Sequence, residues 1–136
     1  NLLVGMNSDQ NFADDVEPTF EYFPRLEERL NQRAGTMSGG EQQMLTIART
    51  LVSNPKLLLI DEPVEGLMPG LVDTMRDIIV RLNEEGHTIF LVEQNIDMAL
   101  EISDRAYVLS NGRVEYEGDA ADLAADEETL DRYLSV

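Results

Sequence analysis

Two short apolar runs, Leu57 to Ile60 and Ile89 to Val92, restrict the fold of this 136-residue chain more than any other feature. Neither run contains a polar side chain, and the first is bracketed by Pro55 and Pro63. Such runs read as strands buried on both faces, because a strand with one wet face alternates apolar and polar residues. Between them, apolar residues recur at 71, 72, 75, 78, 79 and 82, the stripe of an amphipathic helix over Leu71 to Glu85, and Gly86 follows as a stop. Strand, helix, strand with short links is a βαβ unit. The two strands are therefore expected to be parallel, and the chain to be of the α/β class.

The flanking segments fill in the plan. Leu2-Leu3-Val4 looks like the tail of an element begun upstream, and Asp9 to Glu17 reads as loop. Pro24 suits the first turn of a helix expected to reach about Arg33. A second helix is expected from Gly40 to about Ser53, with Met44, Ile47, Ala48, Leu51 and Val52 at helical spacing. After the second apolar run come a helix over Ile96 to Ile102 and a strand over Ala106 to Leu109. Asn111-Gly112 supplies a tight turn into Val114 to Glu117, and two short acidic helices close the chain. The organisation expected is a helical part over 1–54 and an α/β part over 55–136.

Charge narrows the partners. Twenty-seven acids against ten bases give a net charge of −17, and Lys56 is the only lysine. A field of that sign repels phosphate backbones, so nucleic acid is excluded as an expected partner. The lysine-poor, acid-rich composition resembles proteins of salt-loving organisms, in which salt screens self-repulsion. With no cysteine there is neither a disulfide framework nor a thiolate metal site. No run approaches the ~20 apolar residues of a membrane span, so a soluble, cytoplasmic chain is expected.

Two motifs carry chemistry. Ser38-Gly39-Gly40-Glu41-Gln42 starts the second helix: Ser38 caps it and Glu41 completes a capping box. The same helix start offers unpaired N–H groups and a positive dipole end to an anion, and the glycines allow close approach to the backbone. The second motif is Asp61-Glu62-Pro63, directly after the first strand, where α/β sheets bind their ligands. Asp61 is suited to Mg²⁺, often through water, and Glu62 to accepting a proton from an attacking water. The bland alternatives are an ordinary helix cap and an ordinary polar turn. His87 lies at the opposite end of its strand and reads as a surface residue.

Together, Met37 to Gln42 and Leu57 to Pro63 resemble the signature motif and Walker B strand of ABC transporter ATP-binding subunits, members of the P-loop NTPase fold. The segments FPRLEERLNQRAGTMSGGEQQMLTIARTL, LLLIDEP, TIFLVEQN and ALEISDRAYVLSNGRV, with the opening NLLVGM, are similar to the smaller ATPase of branched-chain amino acid importers. The resemblance implies ATP and Mg²⁺ as cofactors. It also implies a head-to-tail pair of ATPase subunits, transmembrane permease partners, and a location at the cytoplasmic face of the membrane. It assigns Ser38, Gly39, Gly40, Glu41 and Gln42 to nucleotide contact, Asp61 to Mg²⁺ and Glu62 to water activation. Gln94 stands where most relatives have a switch histidine, and Val64 to Pro69 forms the D-loop, in which Met68 replaces a common aspartate. The segment Phe12 to Arg33 is expected near the permease, and the transported solute touches none of these residues.

The residues do not include a G-x-x-x-x-G-K-[ST] phosphate loop. The expectation is therefore the carboxyl-terminal part of a subunit that needs ~100 further residues and is inactive as this piece alone. Alternatives are the ATPase of a urea or amide importer, whose D-loop also carries Glu-Gly, and a non-catalytic module that supplies only a signature half-site.

Overall fold

The computed structural model describes residues 1–6 and 11–134. Two compact units divide the chain, Asn1–Val92 and Glu93–Val136. The boundary expected between 54 and 55 thus falls inside the first unit.

The first unit opens with short helical turns, Leu2–Gly5, Phe12–Val16 and Glu17–Glu21. The segment from Asp9 to Glu17, expected to be loop, is helical from Phe12 because Asn11 accepts the Asp14 N–H as a cap; Asp9 and Gln10 lie outside the described residues. Helix α1 covers only Pro24–Glu27. Its expected extension to about Arg33 gives way to single turns, with Arg29 N–H on the Leu26 carbonyl and Gln32 N–H on the Arg29 carbonyl. The Gln32 side-chain amide reaches forward instead, donating to Thr36 O at 3.1 Å.

Helix α2 (Gly39–Leu51) buries Met44, Ile47, Ala48 and Leu51, the stripe that its spacing predicts. Strand β1 (Leu57–Asp61), helix α3 (Pro69–Glu84) and strand β2 (Thr88–Val92) form the βαβ unit, and the strands pair in parallel from Leu57↔Thr88 to Asp61↔Val92. Gly86, at φ +98°, adopts the left-handed conformation that ends α3.

The expectation that both strands are buried on two faces is corrected. Leu58 and Ile60 are buried, but Leu57, Leu59, Phe90 and Val92 remain 52%, 74%, 51% and 44% exposed. The first pair joins the core that α3 shares through Met75, Ile78, Ile79 and Leu82. Among the described residues nothing covers the other face. An unbroken apolar run reports that a strand suits two covered faces, not that both covers are present.

The second unit is built on the antiparallel hairpin of β3 (Arg105–Ser110) and β4 (Arg113–Asp119). Its turn residues Asn111 and Gly112 have φ of 51° and 75°, as Asn-Gly turns require. A bulge at Val108/Leu109 interrupts the register. Helices α4 (Ile96–Ile102), α5 (Ala120–Ala124) and α6 (Glu127–Leu134) complete it, with Met98, Val108, Ala120 and Leu123 buried.

Candidate functional site

The start of α2 is the more elaborately held of the two motifs. Ser38 N–H donates to Glu41 Oε2 at 2.9 Å, and Glu41 N–H donates to Ser38 Oγ at 3.4 Å, the reciprocal pair of a capping box. Glu41 Oε1 also meets Arg29 Nη2 at 3.2 Å. The Ser38 N–H above all holds the Glu41 carboxyl below its ordinary value; desolvation opposes it, and the Ser38 hydroxyl and the charges of Arg29 and Arg25 add lesser help. Gln42 turns back on the preceding loop, its Nε2 donating to Ala34 O at 3.2 Å and Met37 O at 3.1 Å. The side chains of Glu41 and Gln42 are therefore engaged in shaping the motif, while Ser38 and Gly39 stay exposed.

The two glycines differ. Gly40 is buried, and a Cβ there would lie 2.6 Å from Leu71 Cδ1 and 3.3 Å from Leu67 Cδ2, whereas Gly39 has no neighbour within 4 Å of a Cβ. Gly40 is thus the point at which α2 meets the loop after β1, at Leu67, and the start of α3, at Leu71. Gly39 is the glycine with open space in front of it. Sequence reasoning missed this division of labour, because Leu67 and Leu71 are remote in the chain.

At the end of β1, Asp61 is exposed and Glu62 half-buried. Glu62 has φ 45°, a left-handed conformation that costs a residue with a Cβ about 1–2 kcal/mol. Its N–H donates to Val92 O at 2.8 Å, so the sheet ladder continues one residue beyond β1 while the chain turns away. Buried Pro63 and Val64 follow, and Glu62 O and Val64 O accept the N–H groups of Glu65 and Leu67 at 3.3 and 3.1 Å. The backbone is what aims this end of the site. One exposed carboxylate beside a half-buried one fits Mg²⁺, which keeps much of its water and favours a few oxygen ligands. Among the described residues no group of three or more carboxylates or histidines gathers into a protein cage.

Gln94 belongs to the second unit and is exposed just before α4. Glu93 Oε2 accepts the backbone N–H groups of Gln94 at 3.0 Å and Asn95 at 3.1 Å, and Asn95 Oδ1 caps the helix through Met98 N–H at 3.2 Å. His87 is half-buried rather than on the surface, its Nδ1 2.8 Å from Pro55 O. That contact ties the loop entering β1 to the loop entering β2, away from the strand ends that carry Asp61 and Glu62.

A family model described as ABC transporter matches residues 2–65, covering α2, β1 and the acidic pair. The chain is 49% identical, over 98% of its length, to the high-affinity branched-chain amino acid transport ATP-binding protein BraG of Pseudomonas aeruginosa. The chain belongs to the ATP-binding domains of ABC transporters. It spans 58% of that relative's length. Among solved structures, an ATP-binding cassette of an ABC transporter superposes with a TM-score of 0.80 at 25% identity, over 96% of this chain and 51% of the other. A bacterial ABC transporter cassette described as dimeric superposes with a TM-score of 0.71 at 29% identity, over 88% of this chain and 53% of the other. The fold is accordingly part of the P-loop NTPase cassette. No helix among the described residues is long and apolar enough to cross a membrane.

Proposed function

We propose that a complete cassette containing these residues is the ATP-hydrolysing subunit of an ABC importer for branched-chain amino acids. The match of 98% of this chain to a little over half of a branched-chain amino acid transport ATP-binding protein supports this reading. In it, two cassettes pair head to tail against permease subunits at the cytoplasmic membrane face. Ser38, Gly39 and Gly40 close on the γ-phosphate of ATP held by the partner, with Glu41 and Gln42 keeping that helix start in shape. Asp61 helps to hold the Mg²⁺ that neutralises phosphate charge. Glu62 accepts a proton from the attacking water. Gln94 reports on the γ-phosphate through hydrogen bonds, which an uncharged amide can both donate and accept.

Glu62→Gln keeps the shape and removes the base. In a complete cassette it should lower ATP turnover by about two orders of magnitude or more and leave ATP binding intact. Near-normal turnover in that variant would refute the role of Glu62. Glu65-Gly66 in the D-loop favours one rival, a urea or amide importer, and solute uptake by the assembled transporter separates the two.

A further inference from the structure

We infer that Arg29 is a positioning residue for the signature helix start, acting on Ser38 by two routes that converge; this rests on the reading proposed above for Ser38. One arm of its guanidinium, Nη2, meets Glu41 Oε1 at 3.2 Å, and the other oxygen of that carboxylate holds Ser38 N–H at 2.9 Å. The other arm, Nη1, donates to Gln32 Oε1 at 3.1 Å. Gln32 Nε2 in turn donates to Thr36 O at 3.1 Å and Thr36 Oγ1 at 3.2 Å, two residues before Ser38. A planar fork with fixed N–H directions can serve both partners at once, which an ammonium point charge does less well.

The surroundings strengthen the inference. The Arg29 and Glu41 side chains are 31% and 15% exposed, so water screens the pair only in part. Arg29 also lines a cavity of about 270 Å³ with Leu26, Leu30, Met37 and Leu45. Apolar side chains thus border the space beside Arg29 while its head is bonded to Glu41 and Gln32. In a chain with ten basic residues against twenty-seven acids, this cation stands opposite the one carboxylate that completes the cap. Pairing Arg29 with Glu41 leaves Ser38 exposed and oriented, ready to meet a phosphate.

The test uses complete cassettes carrying Arg29→Ala, Arg29→Lys, Glu41→Gln and the double variant Arg29→Ala/Glu41→Gln. Arg29→Ala should weaken ATP-driven pairing of cassettes and turnover by roughly five-fold, the scale of one partly exposed charged hydrogen bond. ATP binding to the single cassette should not change. Arg29→Lys should recover part of the loss, and the loss in the double variant should fall short of the sum of the single losses, because one of the two routes from Arg29 runs through the Glu41 carboxylate. Amide exchange should quicken at Ser38 in Arg29→Ala while the middle of α2 stays protected. Unchanged exchange at Ser38 overturns the inference, as do fully additive losses. Glu62→Gln is measured alongside. If it abolishes turnover and Arg29→Ala alters neither pairing nor exchange, this inference fails and the proposed function stands; if Glu62→Gln stays active, the proposed function fails, and exchange at Ser38 still decides whether Arg29 holds the helix start.

Discussion

The two motifs of the first unit are built by different means. The α2 start is a side-chain assembly, in which Arg29, Gln32, Glu41 and Gln42 converge on the loop around Ser38. At the acidic end of β1 the backbone sets the course, with a left-handed Glu62 whose N–H continues the ladder to Val92 and a buried Pro63 after it. A corner built from side chains can be loosened by many single changes, each small. A corner whose course is set by backbone conformation depends more on φ and ψ at Glu62. The difference suits the proposed roles: the α2 start must meet a separate molecule repeatedly, while the carboxylates must stay aimed at one bound nucleotide.

The contrast can be broken at Gly40, where the largest structural effect is expected. Gly40→Val puts a Cβ 2.6 Å from Leu71 Cδ1 and 3.3 Å from Leu67 Cδ2, so the tips of both leucines must shift. Overpacking of this kind costs about 1–3 kcal/mol. Heat unfolding of the chain should show a lowered midpoint. If the midpoint is unchanged, α2 does not meet α3 through that residue.

A smaller effect sharpens the other half. Glu62→Gly removes the left-handed penalty on a residue with a Cβ, offset by the flexibility of glycine in the unfolded chain. The net change in stability should stay within about 1 kcal/mol of zero, together with loss of turnover in a complete cassette. A clear loss of stability, read by denaturant unfolding, would mean that the Glu62 side chain rather than the backbone organises this end.

Most of the fold was legible because it rests on short-range periodicity. The stripe of α2, the βαβ unit, the Gly86 stop and the Asn111-Gly112 turn are each written within a few residues, and the structure has all of them. Features set by remote partners were not. Arg29 and Glu41 are twelve positions apart, and Gly40 and Leu71 are further apart still. Nothing local announces either contact. Beyond Glu27 the chain continues in single turns closed by Arg29 N–H on Leu26 O and Gln32 N–H on Arg29 O, a change that helix propensity does not register. The open face at Leu57, Leu59, Phe90 and Val92 has the same origin, since burial depends on what lies opposite. The site was legible as two motifs. Which residues shape the helix start and which stand open to a ligand was not.

The central claim is that the two motifs serve different nucleotides, the acidic pair its own and the α2 start a partner's. Ser38→Arg in a Glu62→Gln background tests it most directly, by measuring ATP affinity of the single cassette and ATP-driven pairing in the same preparation. The account predicts that pairing is lost while single-cassette affinity is unchanged. Loss of single-cassette affinity, or pairing that survives intact, would contradict it.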